Sequence, residues 1–182
     1  MKQMNNKIMT MTIVGAIAVG SSAFADSSKK NGFFVGVQAT SFKNTANAAI
    51  GVGHGSGIGL VGGYSHNLSE KFFVTGAVAT YHLGGGNDAG SVSYSRDSAL
   101  SIGLGLNLST NISILGEIGR VKTAYSFSGG SSADYGNTYS VKAGYGLTEK
   151  VSLELGYVYR SYPNTVSKIK SNGVTFGVVN HF

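Results

Sequence analysis

The chain alternates between apolar and small polar residues over most of its length. Between Leu100 and Ser109 every even position is Leu or Ile, and every odd position is Ser, Gly or Asn. A period of two marks a β-strand with one apolar face. The same rhythm runs through Phe33, Val35, Val37 and Ala39, then Ile58, Leu60, Gly62 and Tyr64, then Phe72, Val74, Gly76 and Val78. It continues in Ile112, Ile114, Gly116 and Ile118, in Tyr139, Val141, Ala143 and Tyr145, and in Val151, Leu153, Leu155, Tyr157 and Tyr159. The last ten residues repeat it, with Val174, Phe176, Val178, Asn180 and Phe182 on one face.

Three related segments set the count of strands. Leu68-Ser-Glu-Lys-Phe72, Leu108-Ser-Thr-Asn-Ile112 and Leu147-Thr-Glu-Lys-Val151 follow one another at spacings of 40 and 39 residues. Each is a short polar turn entered and left by apolar residues, as in a tight hairpin. Three such turns divide the chain into four strand pairs, so eight strands are predicted. The other connections, roughly 44–55, 83–93, 127–135 and 163–168, are rich in Gly, Ser and Asn and read as longer loops.

The face opposite the apolar one is small and polar: Gly36, Gln38, Thr40, Gly57, Gly59, Gly103, Gly105, Glu117, Ser140, Lys142, Glu154, Arg160 and Thr175. Composition decides which face points outward. Only 12% of the residues are charged, about half the usual share. A water-soluble barrel with its apolar face inward would present an outer wall of mostly Gly, Ser and Thr. That surface is poorly solvated and its sheet is weakened by Gly. With the apolar face outward toward lipid, small residues fit the narrow lumen of an eight-stranded barrel, and Tyr and Phe near the strand ends form interfacial girdles. At membrane depth every backbone N–H and C=O needs a partner within the protein, which only a closed sheet supplies. The fold class predicted is therefore all-β, an eight-stranded antiparallel up-and-down transmembrane β-barrel whose last strand pairs with the first.

The first 25 residues read as a cleaved signal peptide. Lys2 and Lys7 give a positive start, Ile13–Val19 an apolar run, and Ala23-Phe24-Ala25 a small-x-small cleavage pattern. The apolar run is too short to cross ~30 Å of hydrocarbon as a helix. Residues 26–31 then form a short periplasmic segment, and 32–182 the barrel. Bacterial barrels place short turns in the periplasm, so both termini are expected there. Loss of the leader lowers the formal charge from +6 to +4, because Lys2 and Lys7 leave with it. The remaining excess is scattered, which gives no nucleic-acid surface. The absence of cysteine excludes disulfides and thiolate metal sites.

The leader, the alternating strands, the Leu-Ser/Thr turns, Leu155-Gly-Tyr-Val-Tyr159 and the terminal Phe182 together resemble the small outer-membrane barrels of the OmpX/Ail, OmpA transmembrane-domain and opacity-protein groups. The resemblance spans 32–182 and is one of architecture. It implies insertion by the barrel-assembly machinery, which reads the terminal strand through Phe176, Val178 and Phe182. Such strands commonly carry an aromatic two residues before the last, where this chain has Asn180.

Several residues carry candidate chemistry. Glu117, Lys142, Glu154 and Arg160 fall on the inward face of strands five to seven, where buried charges require partners. They are expected to form an ion-pair network that fills the lumen. Arg120 and Lys122 interrupt the apolar face of strand five near its outer end, where they are candidates for facing lipopolysaccharide phosphates. Gly57-Ile-Gly-Leu-Val-Gly62 matches the G-x-G-x-x-G pattern, but no βαβ unit surrounds it, so no dinucleotide site is read from it. His82 with Asp88, Asp97 and nearby serines could be drawn as a hydrolytic set, though no compact spacing supports it. No catalytic, cofactor or metal residues are assigned.

The expected protein is a monomeric outer-membrane barrel with a structural or adhesin-like surface role exerted through its outer loops. Its expected partners are outer-membrane lipids and lipopolysaccharide, and a host or surface ligand at the loops. The alternatives are a lipid-modifying enzyme and a narrow solute conduit.

Overall fold

The computed structural model describes residues 31–45, 52–87, 92–163 and 169–182. The expected leader and nearly all of the following short segment lie outside the described residues, as do Asp88 and the centres of three of the outer connections.

Eight antiparallel strands form one closed barrel in chain order. They are β1 (Gly32–Thr45), β2 (Val52–Asn67), β3 (Phe72–Asn87), β4 (Val92–Asn107), β5 (Ile112–Phe127), β6 (Gly130–Gly146), β7 (Val151–Ser161) and β8 (Lys170–His181). The seam is a full ladder from Phe34↔His181 to Thr45↔Lys170, extended by a bond from Phe182 N to the Phe33 carbonyl at 2.8 Å. Among the described strands no edge is left open, and each backbone donor has the neighbour that a closed sheet provides.

The alternation of the sequence becomes the two sides of the wall. Phe33, Ile102 and Leu155 are 68%, 64% and 60% exposed, while Gln38 and Asp97 are 1% and 0% exposed. The apolar face is on the outside. From Ile112 the outward positions of β5 are Ile114, Gly116 and Ile118, and then Arg120. Eight steps at ~3.3 Å, tilted by ~40°, give a height of about 20 Å, close to the ~25 Å of a lipid-facing band. Aromatic residues mark its edges. Phe33 and Tyr64 meet edge to face at 5.1 Å near the end that carries the tight turns, and Tyr139 stacks beside Tyr159 at 6.2 Å further up the wall.

The three tight turns share one device. In each, the Ser or Thr after the Leu turns its hydroxyl back to accept two backbone N–H groups. Ser69 Oγ takes Lys71 N and Phe72 N, Ser109 Oγ takes Asn111 N and Ile112 N, and Thr148 Oγ1 takes Lys150 N and Val151 N. The preceding Leu N–H closes the turn onto the carbonyl of the residue that opens the next strand. The 40-residue repeat is thus a repeat of side-chain capping.

The opposite end differs from the loops expected of it. The segment 127–135 is not a loop: β5 and β6 stay paired to Phe127↔Gly130, so only Ser128 and Gly129 turn the chain. Likewise Leu83 to Asn87 continue β3, and Val92 and Ser93 already belong to β4. The Gly- and Ser-rich composition that reads as loop is compatible with strand because ladder bonds use only the backbone. The irregularity falls instead at a register shift between His82 and Gly86, where Gly85 takes a φ of 112°. Strands β2 to β6 are 16 or 17 residues long, against 11 and 12 for β7 and β8. Among the described residues the paired wall is therefore longest over β2–β6.

The lumen is not lined by small residues alone. Phe34, Phe42, Phe73, Tyr81 and Leu83 also point inward; Phe42, Tyr81 and Leu83 form one cluster, and Phe34 packs against a second made of Val61, Ala77 and Val179. Glycine on the neighbouring strand is what admits them. A Cβ at Gly55 would overlap the Phe42 ring, and one at Gly105 the Phe73 ring.

Candidate functional site: the filled lumen and the outer wall

Two polar clusters occupy the lumen at different heights. In the lower one, Lys142 Nζ lies 2.7 Å from Glu117 Oε2. Ser140 and Ser101 donate to the two oxygens of the same carboxylate at 2.8 and 3.2 Å. Across the lumen, Tyr81 donates to Gln38 Oε1 at 2.7 Å, and Gln38 Nε2 donates to Glu154 Oε2 at 3.1 Å. Residues from six strands therefore meet in the middle of the barrel.

Arg160 does not join this set. The register places it opposite Thr138 and Ser171, toward the outer end, where Asp97 reaches in from β4. Arg160 Nη1 is 2.5 Å from Asp97 Oδ2. The contact lacks hydrogen-bond alignment, leaving Oδ2 without a hydrogen bond, so it is held by charge. The other oxygen, Oδ1, accepts from Thr123 Oγ1 at 2.6 Å. Thr123 has then spent its only proton, so the 2.6 Å contact between its hydroxyl and Tyr162 has the tyrosine as donor. Burial pushes the Tyr162 phenol, just beyond the end of β7, up to about 12, which keeps it protonated for that role. The Arg160 guanidinium also lies 5.5 Å from the Phe42 ring centre.

Asp97 is the residue that sequence reasoning left out of the lumen network. Its inward position is available from the alternation of β4, since it is odd-numbered like Gly103 and Gly105, and the spacing of His82 and Asp97 does not support a hydrolytic set. The register gives Tyr81↔Asp97 and His82↔Arg96, which puts His82 on the outer wall and Asp97 in the lumen. The two lie on opposite faces of the sheet, so they make no catalytic pair. A different Ser–His contact exists at the lower rim, where Ser152 Oγ is 3.3 Å from His181 Nε2. Ser152 is 2% exposed, and the adjoining cavity, lined by Phe34, Phe73, Lys142 and Glu154 among others, holds about 20 Å³. That is room for about one water and none for a substrate. Gly57–Gly62 lies within β2. Among the described residues no group of three His, Cys, Asp or Glu could hold a metal ion.

The outer wall carries its charge with one sign. The inward positions hold Asp97, Glu117, Asp134 and Glu154, and Glu70 and Glu149 sit in the tight turns. Lys43, Arg96, Arg120, Lys122 and Lys170 face outward in the upper part of the strands. Among the described residues, no acidic side chain shares that wall. Arg120 Nη1 donates to Asn137 Oδ1 at 2.5 Å, and Lys122 Nζ stands 5.4 Å from the Tyr135 ring centre. Along β8, Phe176 at mid-strand and Phe182 at the lower edge face outward and exposed, while Val178 is buried between Val37 and Leu153 in register. Asn180 occupies the outward position between Val35 and Val151.

The closed eight-stranded sheet has counterparts among solved structures. Ail, the attachment invasion locus protein of Yersinia pestis, superposes with a TM-score of 0.59 at 14% identity, covering 84% of this chain and 99% of Ail. The fold is that of the small outer-membrane barrels. The same protein in complex with the heparin analogue sucrose octasulfate matches equally, at 0.59 and 13% identity over 84% of this chain and 99% of that one. Neisserial surface protein A matches with a TM-score of 0.58 at 19% identity, over 84% of this chain and 98% of that one. No family model matches the sequence, and no curated protein matches it.

Proposed function

We propose that this small barrel spans the bacterial outer membrane as a monomer and serves as a surface-interaction protein, working through the tall wall and connections at its outer end. The observation that carries this reading is the combination of an outward apolar band with a lumen packed across its whole width. The band calls for lipid around the barrel, and among the described residues the lumen is bridged from wall to wall by side chains, so the exposed outer end is what can meet a partner. Solved structures of the same fold support the placement, and the complex of Ail with the heparin analogue sucrose octasulfate supports a ligand-binding role. In this reading residues 1–25 are the cleaved leader, both termini are periplasmic, and the barrel-assembly machinery recognises β8 through Phe176, Val178 and Phe182.

The test has two parts. Heat-dependent gel mobility in the outer-membrane fraction is expected, and absence of the protein from that fraction rejects the placement. Adhesion of intact cells to immobilised host-matrix proteins and sulfated polysaccharide is then compared between the parent and a variant lacking the paired tip residues 126–127 and 130–131, in which the Ser128-Gly129 turn closes directly on Tyr125 and Ser132. Loss of adhesion supports the role, and equal adhesion to every surface rejects it.

A further inference from the structure

Resting on the surface role just proposed, we infer that the inner face of the outer rim, between β4 and β6, holds a site for an organic cation of the quaternary ammonium type. The ring faces of Tyr94, Tyr125 and Phe127 would surround the trimethylammonium group, and the Asp134 carboxylate would supply its counter-charge.

The rings form a single row. Phe42, buried at the top of the lumen, meets Tyr94 edge to face at 5.6 Å. Tyr94 stands directly opposite Tyr125 in the ladder, where side chains on one face start within ~5 Å of each other. Tyr125 lies 6.4 Å from Phe127. Tyr125 follows Thr123 by two residues, so the row runs up the inward face above the Asp97 cluster. The upper rings stand above the apolar band: Tyr125 is beyond Arg120 on β5, and the strand between them climbs about 13 Å at ~3.3 Å per residue and ~40° of tilt. Height and direction both separate these rings from the aromatic girdles, which face lipid. Phe127 is 44% exposed, and Tyr94 and Tyr125 are half-buried, so the row is not closed off by packing.

The row is suited to cations. Its lowest ring already carries one, because the Arg160 guanidinium lies 5.5 Å from the Phe42 ring centre. Among the described residues, no cation lies over Tyr94, Tyr125 or Phe127. A carboxylate stands beside them. Ser132 and Asp134 on β6 are opposite Tyr125 and Thr123, and both meet the Tyr125 hydroxyl. Asp97 and Glu117 have Arg160 and Lys142 as ion-pair partners, whereas among the described residues Asp134 has none. Aromatic faces attract cations through the ring quadrupole, and more strongly where the cation is desolvated. A quaternary ammonium group has no N–H to satisfy and presents methyl groups that rings cover well. Three rings and one carboxylate therefore suit it better than an ammonium or guanidinium, whose donors would need more acceptors.

The experiment is saturation-transfer NMR of the folded barrel in neutral glucoside micelles, titrated with choline, phosphocholine, N-acetyl-lysine amide or the uncharged tert-butyl isostere of choline. Heat-dependent gel mobility serves as the folding control for every variant. Choline is expected to bind about tenfold more tightly than its isostere. Tyr125→Leu/Phe127→Leu and, separately, Asp134→Asn are each expected to weaken it about tenfold, while Tyr139→Leu on the lipid-facing wall leaves it unchanged. Phosphocholine bound more tightly than choline supports the site with a headgroup as its ligand, and the reverse order supports it with the free amine. Equal binding of choline and its isostere overturns the proposal, as does unchanged choline binding by the folded double variant. Unchanged binding by Asp134→Asn overturns the counter-charge. Lysine amide bound more tightly than choline and phosphocholine overturns the proposal in favour of a basic polypeptide. A barrel recovered from the outer membrane that binds neither choline nor phosphocholine refutes this inference alone, whereas absence from that fraction refutes the reading beneath it.

Discussion

Arg160→Met would isolate one of the most deeply buried charges in the molecule. Asp97 is 0% exposed, and Arg160 is its cationic partner. After the substitution Asp97 keeps the Thr123 hydroxyl but loses the charge that neutralises it, and Phe42 loses the cation on its face. Removing one member of a buried ion pair costs about 3–5 kcal/mol, because the remaining charge stays desolvated. With a urea slope of ~2 kcal/mol per molar for a protein of this size, the unfolding midpoint falls by about 2 M. Unfolding from lipid vesicles, followed by far-UV circular dichroism and by gel mobility, reads that shift. Asp97→Asn/Arg160→Met supplies the decisive comparison. Asn still accepts from Thr123 and carries no charge, so the double variant should regain most of the loss, with a coupling above about 1 kcal/mol. A single variant within ~0.3 M of the parent midpoint, or a double variant no better than the single, would refute the reasoning.

Three further outcomes follow from the same contacts. Ser69→Ala, Ser109→Ala and Thr148→Ala each remove a hydroxyl that accepts two turn N–H groups; each should cost about 0.5–1.5 kcal/mol, and the triple variant should lose nearly the sum because the turns are far apart. Equilibrium urea unfolding measures it, and a triple variant as stable as the parent contradicts the capping role. Gly105→Ala should cost about 1–3 kcal/mol by forcing the Phe73 ring from its seat, and Gly105→Ala/Phe73→Leu should recover part of that. In planar bilayers the parent barrel should show no conductance, since Tyr81, Gln38, Glu154, Lys142 and Glu117 bridge the lumen; steady single-channel currents would disprove the packed interior.

Much of this architecture was legible because strand alternation and turn chemistry are local properties. The even-numbered Leu and Ile of β4 point one way in any antiparallel sheet, so the outward face from Leu100 to Leu108 needed no partner to be named. The turn at 68–72 announced itself by recurring with the same Leu-Ser/Thr pair. The extent of pairing beyond the apolar band was not legible. Residues 127–135 are rich in Gly and Ser, and whether such a run pairs depends on the strand beside it. The lumen contacts were legible only by face. Lys142 and Arg160 both read as inward, yet one meets Glu117 and the other Asp97, because the stagger between strands sets the height at which each side chain enters.

The sequence by itself determined the number of strands, the direction each side chain faces and the need for closure, since a two-residue period and an unsatisfied backbone at membrane depth admit few arrangements. Only the tertiary structure decided which inward groups touch. It made Asp97 the counter-ion of Arg160, seated Phe42 and Phe73 over glycines of neighbouring strands, and gathered Arg96, Arg120 and Lys122 on one patch of wall. Those outcomes depend on register and closure, which are properties of strands far apart in sequence. A one-residue slip would have exchanged every one of these faces.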